Sequence, residues 1–248
     1  MTAAQSAAFD NIALRYDALW SDTPVGRAQR SAVWSRIDPL FDKCDFVLDL
    51  GCGTGVDSLH LQSRGVSVLG VDASKRMIEI ARERGIQAEC CPIEHLERFN
   101  LKADGVVSNF GALNCLRSLT GTAGSLARIV RSGGYLALCF FNRICLWEIA
   151  FYLLRLQPGK ALRRLKGYAE SSIGATVFYP SARAISSAFE QNFRLLKSYG
   201  IGLFVPPSCV TFLKAGVVDK LASLDERTAH WPAFRAMADH RLYIFERL

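Results

Sequence analysis

The segment Phe46-Val47-Leu48-Asp49-Leu50-Gly51-Cys52-Gly53-Thr54-Gly55 constrains this chain more than any other. A short apolar run ending in closely spaced glycines predicts a buried strand that enters a tight turn, and Val56 to about Arg64 reads as the helix that follows. Glycine lets the backbone of such a turn approach a ligand, and the next helix aims its N-terminal amides at the same place. The loop does not name its ligand, because its spacing is Gly-x-Gly-x-Gly and not the Gly-x-Gly-x-x-Gly of dinucleotide sites.

The same alternation continues downstream. Ser67 to Val71 is a second strand, Ser74 a natural N-cap, Met77, Ile80 and Ala81 a helical stripe, and Gly85 its stop. Ile86 to Cys90 and Gly105 to Ser108 read as strands three and four. Leu126, Ile129 and Val130 mark a helix whose basic last turn and glycine stop are Arg131-Ser132-Gly133-Gly134, and Tyr135 to Phe141 is strand five. Ser181 caps a helix with Ile185, Ala188 and Phe189 on one face, ahead of strands at Phe193 to Tyr199 and Arg241 to Arg247. Apolar strands separated by helices imply parallel pairing with both faces covered. The expected fold is therefore α/β: a Rossmann-like, doubly wound, mostly parallel seven-stranded sheet with helices on both faces and inserted lid segments.

With 248 residues, half of them hydrophobic, the chain is too apolar to be disordered and long enough for one large domain or two small ones. The element order favours a single domain, 1–248. It has N-terminal lid helices over 1–42, a core over 43–141, and substrate-lid insertions at 142–179 and 200–239. Thirty Lys and Arg against 23 Asp and Glu leave a net charge of +7, a mild preference for anionic partners that names no ligand. Cys44, Cys52, Cys90, Cys91, Cys115, Cys139, Cys145 and Cys209 form no CxxC pair and have no His at metal-ligand spacing. They read as reduced, mostly buried thiols, and no metal site is expected; adjacent Cys90 and Cys91 could be redox-active, with packing the plainer reading. The start lacks the basic-then-apolar pattern of a signal peptide, so a cytoplasmic location is expected. Tyr135 to Leu154 approaches membrane-spanning length, but Asn142, Arg143 and Glu148 interrupt it, and a strand followed by a helix fits better.

A second acid, Asp72, ends the second strand, where a carboxylate can accept hydrogen bonds from both ribose hydroxyls of an adenosine lying over the strand ends. The competing role is a helix cap ahead of Ser74. Val47 to Gly55, followed by Val71-Asp72-Ala73-Ser74 and Met77-Ile78-Glu79-Ile80-Ala81, resembles motif I and its successor in class I S-adenosylmethionine-dependent methyltransferases. The likeness extends through Ile93-Glu94-His95-Leu96, Asp104-Gly105-Val106-Val107-Ser108-Asn109-Phe110 and Leu126 to Gly134, roughly Phe46 to Phe141 in all. Phe9-Asp10-x-x-Ala13-x-x-Tyr16-Asp17 is similar to the start of small-molecule members, including the quinone-biosynthesis C-methyltransferases.

The resemblance implies S-adenosylmethionine as cofactor, with 43–141 as its binding core. Gly51, Gly53 and Gly55, with Cys52 and Thr54 between them, would wrap the methionine part, and Asp49 would meet its amino group directly or through water. Asp72 would hold the ribose, Ala73 the adenine edge, Asn109 and Phe110 the wall near the sulfonium, and Tyr16 would close over from the lid. Where many relatives place an Asp near the adenine amine, this chain reads Cys91-Pro92-Ile93. Contacts there would fall to the backbone around Pro92 and to Ile93.

Methyl transfer from a sulfonium has a good leaving group, so alignment and exclusion of water supply much of the rate and a base is optional. If the acceptor is a hydroxyl or an activated carbon, His230 and His240, in or beside the late insertion, are candidate bases. His60 and His95 read as structural or solvent-facing, and Tyr179 and Tyr199 as packing residues. Asn109-Phe110-Gly111-Ala112 lacks the Asn-Pro-Pro-Tyr pattern of enzymes that methylate nucleic-acid amines or protein glutamine. A small, apolar or aromatic acceptor is expected, with nucleic acid disfavoured and the oligomeric state open. Three alternatives stand beside it. The basic run Lys160 to Lys166 could bind RNA, although a solvated helix face is the plainer reading. The helix around Leu146, Ile149, Ala150, Leu153 and Leu154, with Trp147, Phe151 and Tyr152, could make peripheral contact with a membrane near a lipid or quinone substrate, against a buried lid helix over an apolar pocket. Or the fold could bind cofactor without turnover, as a scaffold.

Overall fold

The computed structural model describes residues 3–208, 210 and 213–248. Strands β1 (Phe46–Leu50), β2 (Ser67–Asp72), β3 (Gln87–Cys90), β4 (Ala103–Ser108), β5 (Val130–Phe141), β8 (Phe193–Ile201) and β9 (His240–Arg247) form one seven-stranded sheet in the order β3-β2-β1-β4-β5-β9-β8. A small separate hairpin pairs β6 (Tyr168–Glu170) with β7 (Thr176–Phe178). β1 to β5 pair in parallel, and β9 runs antiparallel to both its neighbours. The start of β9 therefore lies at the same sheet edge as the ends of β1, β2, β4 and β5, with His240 opposite Phe141 on one side and Ile201 on the other. The expected doubly wound, mostly parallel sheet is the observed one.

Alternation along the strands divides the core into two layers. On one face Leu48, Leu50, Val106, Leu136, Leu138, Tyr243 and Phe245 pack with Leu126 and Ile129 of α5 (Thr120–Ile129) and Ile185 and Phe189 of α8 (Ala182–Phe189). On the other, Val47, Val68, Val107, Ala137, Leu242 and Ile244 pack with Val33, Ile37 and Phe41 of α2 (Pro24–Phe41) and Leu61 of α3 (Val56–Ser63). The expected caps form: the Ser74 hydroxyl accepts from Met77 N at the start of α4 (Lys75–Glu83), and the Ser181 hydroxyl from Ala184 N. α1 (Ala3–Asp10) lies against α4, and α9 (Ala215–Thr228) against α2.

Several boundaries differ from the sequence reading. α5 stops at Ile129, so Arg131 to Gly134 are not its last turn. They begin β5 across a register shift opposite Ala103 and Gly105, held there by Arg131 Nη1 donating to Asp104 Oδ1 at 2.5 Å. β8 runs on to Ile201, so the second insertion begins at Gly202. Cys52, Cys91, Cys115, Cys139 and Cys145 are buried, Cys44 is half-buried and Cys90 is exposed; Cys209 lies outside the described residues.

The first insertion departs most. α6 (Leu146–Leu154) buries one residue, and it is the charge: Glu148 is 2% exposed, while Leu146, Leu153 and Leu154 point to solvent. The expected apolar stripe is thus outward, and the helix is not a buried cover. The basic run is not a solvated helix face either. It breaks into α7 (Pro158–Ala161) and a 3-10 turn, Arg163–Lys166, in which Arg164 is 5% exposed. A helix apolar on every side carries no amphipathic signal, so the Glu148 and Arg164 pairing decides which side faces in.

Candidate active site

The glycine loop sits where β1 ends. Gly51 and Cys52 both donate backbone N–H groups to Val71 O, which fastens the loop to β2. Gly51 has φ +69, and a Cβ there would lie 2.1 Å from that of Ala112. Gly53 has φ +55, and a Cβ there would meet nothing within 4 Å. The first glycine is required by protein packing; the second leaves an open cradle.

Asp72 closes that cradle. Its Oδ2 accepts from Gly53 N at 3.0 Å and its Oδ1 from Ser74 N at 2.8 Å. The N-cap of α4 is Ser74 itself, whose N–H the Asp72 carboxylate accepts, and that half-buried carboxylate stands at the strand end beside the loop. Asp49 lies beneath, 1% exposed, accepting from Ser58 Oγ at 2.6 Å. Burial and the nearby Asp57 carboxylate push its pKa up to about 7, against Ser58 and Arg30. Arg30 pairs with Asp57, which also accepts from Trp34 Nε1 at 2.7 Å. Burial pushes the Tyr16 hydroxyl up to about 12, with Asp72, Asp57 and Asp17 opposing the nearby Arg30.

The N-terminal segment is pinned over this loop by two acids to which the sequence reading assigned no role. Asp10 Oδ1 accepts from Ser74 Oγ at 2.6 Å and Arg76 N at 3.0 Å. Asp17 Oδ1 accepts from Thr54 Oγ1 at 2.9 Å, while its Oδ2 pairs with Arg84 Nη2 at 2.5 Å. Ser6 Oγ donates to Ala73 O at 3.2 Å. Ile93 is buried and Pro92 half-buried, on the β3 side of the same edge.

Past β4 the chain turns sharply at Phe110, φ +49, a region that costs a residue with a Cβ on the order of 1–3 kcal/mol and recurs at functional sites. The turn presents the Phe110 ring to the Arg30 guanidinium, 5.1 Å away, and edge-on to His240 at 5.2 Å. His240 also lies 4.4 Å from the Phe141 ring, which meets Tyr179 at 6.3 Å. Asn109 and His240 are 7% and 4% exposed, and all four of their side-chain nitrogen and oxygen atoms lack a formed hydrogen bond. Buried polar groups are normally satisfied, so two such side chains at one sheet edge are what a ligand-binding crevice leaves open.

The two candidate histidines part company. His230 is exposed, against Trp231, in a groove beside Leu196 to Tyr199 on the outer strand β8. His240 is buried among the aromatic rings beside Asn109 and Phe110. His60 stacks on Trp34 at 4.0 Å and pairs with Asp38, His95 is exposed, Tyr179 is buried and Tyr199 half-buried.

Sequence reasoning missed the buried ion cluster behind His240. Arg164 Nη2 bridges Glu148 Oε2 at 2.6 Å and Asp239 Oδ1 at 2.8 Å, and Arg163 Nε adds Glu148 Oε1 at 2.7 Å. A lone acid inside an otherwise apolar helix was the available signal, since such a group must be paired if it is buried. Among the described residues no group of His, Cys, Asp and Glu could hold a metal ion.

Residues 47–134 match the methyltransferase domain family. The chain is 30% identical over 148 residues to a demethylmenaquinone methyltransferase of Thermobifida fusca, covering 56% of this chain and 61% of the relative. It is 31% identical over 123 residues to a ubiquinone biosynthesis O-methyltransferase of Alkalilimnicola ehrlichii, covering 45% and 50%. The chain thus spans between half and two thirds of the length of these relatives. Among solved structures, a SAM-dependent methyltransferase of Thermotoga maritima, described as a possible histamine N-methyltransferase, superposes with TM-score 0.64 at 17% identity, covering 98% of this chain and 99% of the other.

Proposed function

We propose that this chain, a class I S-adenosylmethionine-dependent methyltransferase, transfers the methyl group to a small aromatic molecule of quinol-like character. The observation that carries the reading is the pairing of the open Gly53 cradle, bounded by Asp72, with the aromatic cluster of Phe110, Phe141 and His240 on the same sheet edge. The cradle fits the cofactor. Asp72 would hold the ribose, the loop from Gly51 to Gly55 with Cys52 and Thr54 the methionine part, and Asp49 its cationic amine. Ala73, Pro92 and Ile93 would border the adenine, Asn109 the sulfonium side, and Tyr16 the lid. The bound cofactor supplies an electrophilic methyl; the chain aligns an acceptor against it and excludes water. Aromatic walls on the acceptor side favour a planar apolar substrate, and the relatives' names, which concern menaquinone and ubiquinone precursors, point the same way.

The test is twofold: calorimetric binding of S-adenosylmethionine, then transfer of labelled methyl to a panel of naphthols, catechols, alkyl amines and mixed RNA. Turnover confined to the phenolic members supports the reading. Turnover on RNA with a steep salt slope refutes it in favour of the nucleic-acid alternative, and tight cofactor binding with no turnover favours the scaffold.

A specific observation favours peripheral membrane contact in addition. Leu154 and Leu156 are 86% and 89% exposed at the end of α6, and Leu153, Leu162, Leu165 and Tyr168 of the same insertion are exposed as well. Arg155, Lys160 and Lys166 of the same insertion are exposed, while the single acid of the helix is buried and already paired. Exposed leucines and exposed basic residues in one insertion suit an anionic lipid surface. No described helix is long and apolar enough to cross a membrane. Cosedimentation with phosphatidylglycerol vesicles, lost in Leu154→Ser/Leu156→Ser, supports the contact; wild-type protein that stays in the supernatant at low salt removes it.

A further inference from the structure

The methyl-transfer reading leaves open whether the chain supplies a base and what its acceptor atom must be. The buried cluster at the start of β9 bears on both. Asp239 and His240 are 3% and 4% exposed, and Asp239 Oδ2 stands 3.4 Å from His240 Nδ1. Asp239 is fixed from three other directions: its Oδ1 takes Arg164 Nη2 at 2.8 Å, its backbone O takes Arg164 Nη1 at 3.0 Å, and Gln29 Nε2 approaches Oδ2 at 3.4 Å. The backbone holds it as well, because Asn142 N donates to Asp239 O and Asp239 N to Gly202 O. His240 is fixed by its strand register and by the rings of Phe110 and Phe141, yet neither of its ring nitrogens has a formed hydrogen bond. A buried ring with a carboxylate near Nδ1 and a free Nε2 is the arrangement in which an imidazole accepts a proton from a bound hydroxyl.

We propose that His240 is the general base of this protein, that Asp239 and Arg164 are its positioning residues, and that the acceptor is a phenolic hydroxyl. This rests on the methyl-transfer reading and names its acceptor atom. Asp239 favours the tautomer with the proton on Nδ1, and Nε2 accepts. As the acceptor oxygen forms its bond to the methyl carbon, the sulfur–carbon bond breaks with its electron pair left on sulfur, and the hydroxyl proton passes to Nε2. The charges facing the ring are Asp239, the residue just before its strand, and Arg164 from the first insertion. Glu148 stands behind Arg164, and Arg30 lies across the Phe110 ring. Burial and then the Arg164 charge hold the imidazole below its usual value against the pull of Asp239, so the ring is neutral at pH 7 and able to accept. The first insertion thereby acquires a role that its exposed apolar helix conceals: it delivers Arg164 to the base.

The experiment is nitrogen NMR of the full chain labelled at histidine, saturated with S-adenosylhomocysteine, with 1-naphthol as probe. In wild type the His240 signals should show a neutral Nδ1–H tautomer at pH 7, and Nε2 should move on adding 1-naphthol. Asp239→Asn should shift the tautomer balance. His240→Gln should bind S-adenosylhomocysteine as wild type does, lose about 10²- to 10⁴-fold in kcat on 1-naphthol, and lose the acidic limb of the pH profile. A His240 ring charged at pH 7, an Nε2 signal unmoved by 1-naphthol, or kcat of His240→Gln within threefold of wild type overturns the proposal. An Nε2 signal that moves while no phenol is ever methylated leaves the base in place and sinks the methyl-transfer reading instead.

Discussion

Asp72 Oδ2 accepts the backbone N–H of Gly53 at 3.0 Å, joining the end of β2 to the middle of the glycine loop. The same carboxylate accepts the N–H of Ser74, the N-cap residue of α4, so one side chain ties the cradle to the start of the helix beside it. Asp72→Ala should therefore act twice. Loss of charge-assisted hydrogen bonds should weaken S-adenosylmethionine binding by about 1.5–3 kcal/mol, and loss of the bonds from Gly53 N and Ser74 N should lower stability by about 1 kcal/mol. Calorimetry and thermal unfolding separate the two; unchanged affinity in a folded variant would sink the ribose role.

Gly51 and Gly53 should respond in opposite ways to the same substitution. Gly51→Ala drives a methyl to within 2.1 Å of the Ala112 Cβ, so the variant should be severely destabilised or insoluble. Gly53→Ala meets no protein atom and should fold, with about 1–2 kcal/mol of backbone strain, while its cofactor affinity collapses because the methyl stands in the open cradle. Equal loss of stability in both variants, by urea unfolding, would show that the space at Gly53 is not the ligand's.

Asp49 sets a pH dependence. Burial first, then Asp57, raise its folded pKa to about 7, above the unfolded value near 3.9. The folded state therefore holds the proton between those limits while the unfolded state has lost it, and this group's contribution to stability falls as pH rises from about 4 to about 7. A cationic amine bound beside it lowers the pKa and expels the proton. Calorimetry at pH 6 in buffers of different ionisation enthalpy should show proton release on cofactor binding, fading by pH 8.5. Identical heats in all buffers at pH 6 would contradict it.

Arg164 should matter for stability in an asymmetric way. Arg164→Met strands Asp239 in a buried site and leaves Glu148 with Arg163 alone, and should cost about 3–5 kcal/mol by urea unfolding. Adding Asp239→Asn to it should recover part of the loss, because the stranded charge is then gone. If the double variant is as unstable as the sum of the two singles, the pairing is not the source of the cost.

Much of the site was legible because it is local. The β1 strand, its glycine turn, the Ser74 and Ser181 caps and the acid ending β2 are fixed by near neighbours in the chain, and each lies where spacing and propensity put it. The resemblance in the motifs assigned them to a cofactor. Asp10 and Asp17 were in plain view as letters, but their partners Ser74 and Arg84 lie far along the chain, and no periodicity connects them.

What the amino-acid sequence determined by itself was the order of strands and helices and the position of the cradle. Alternation, capping and glycine spacing act over a few residues and need no partner. The tertiary structure alone decided that His240 and not His230 joins the rings of Phe110 and Phe141, that α6 turns its leucines outward, and that Arg164 is interior. Those outcomes depend on the antiparallel entry of β9 at the ligand edge and on matching buried charges across residues 148, 164 and 239. A charge can be buried only where its opposite is already waiting, and the fold chooses that place.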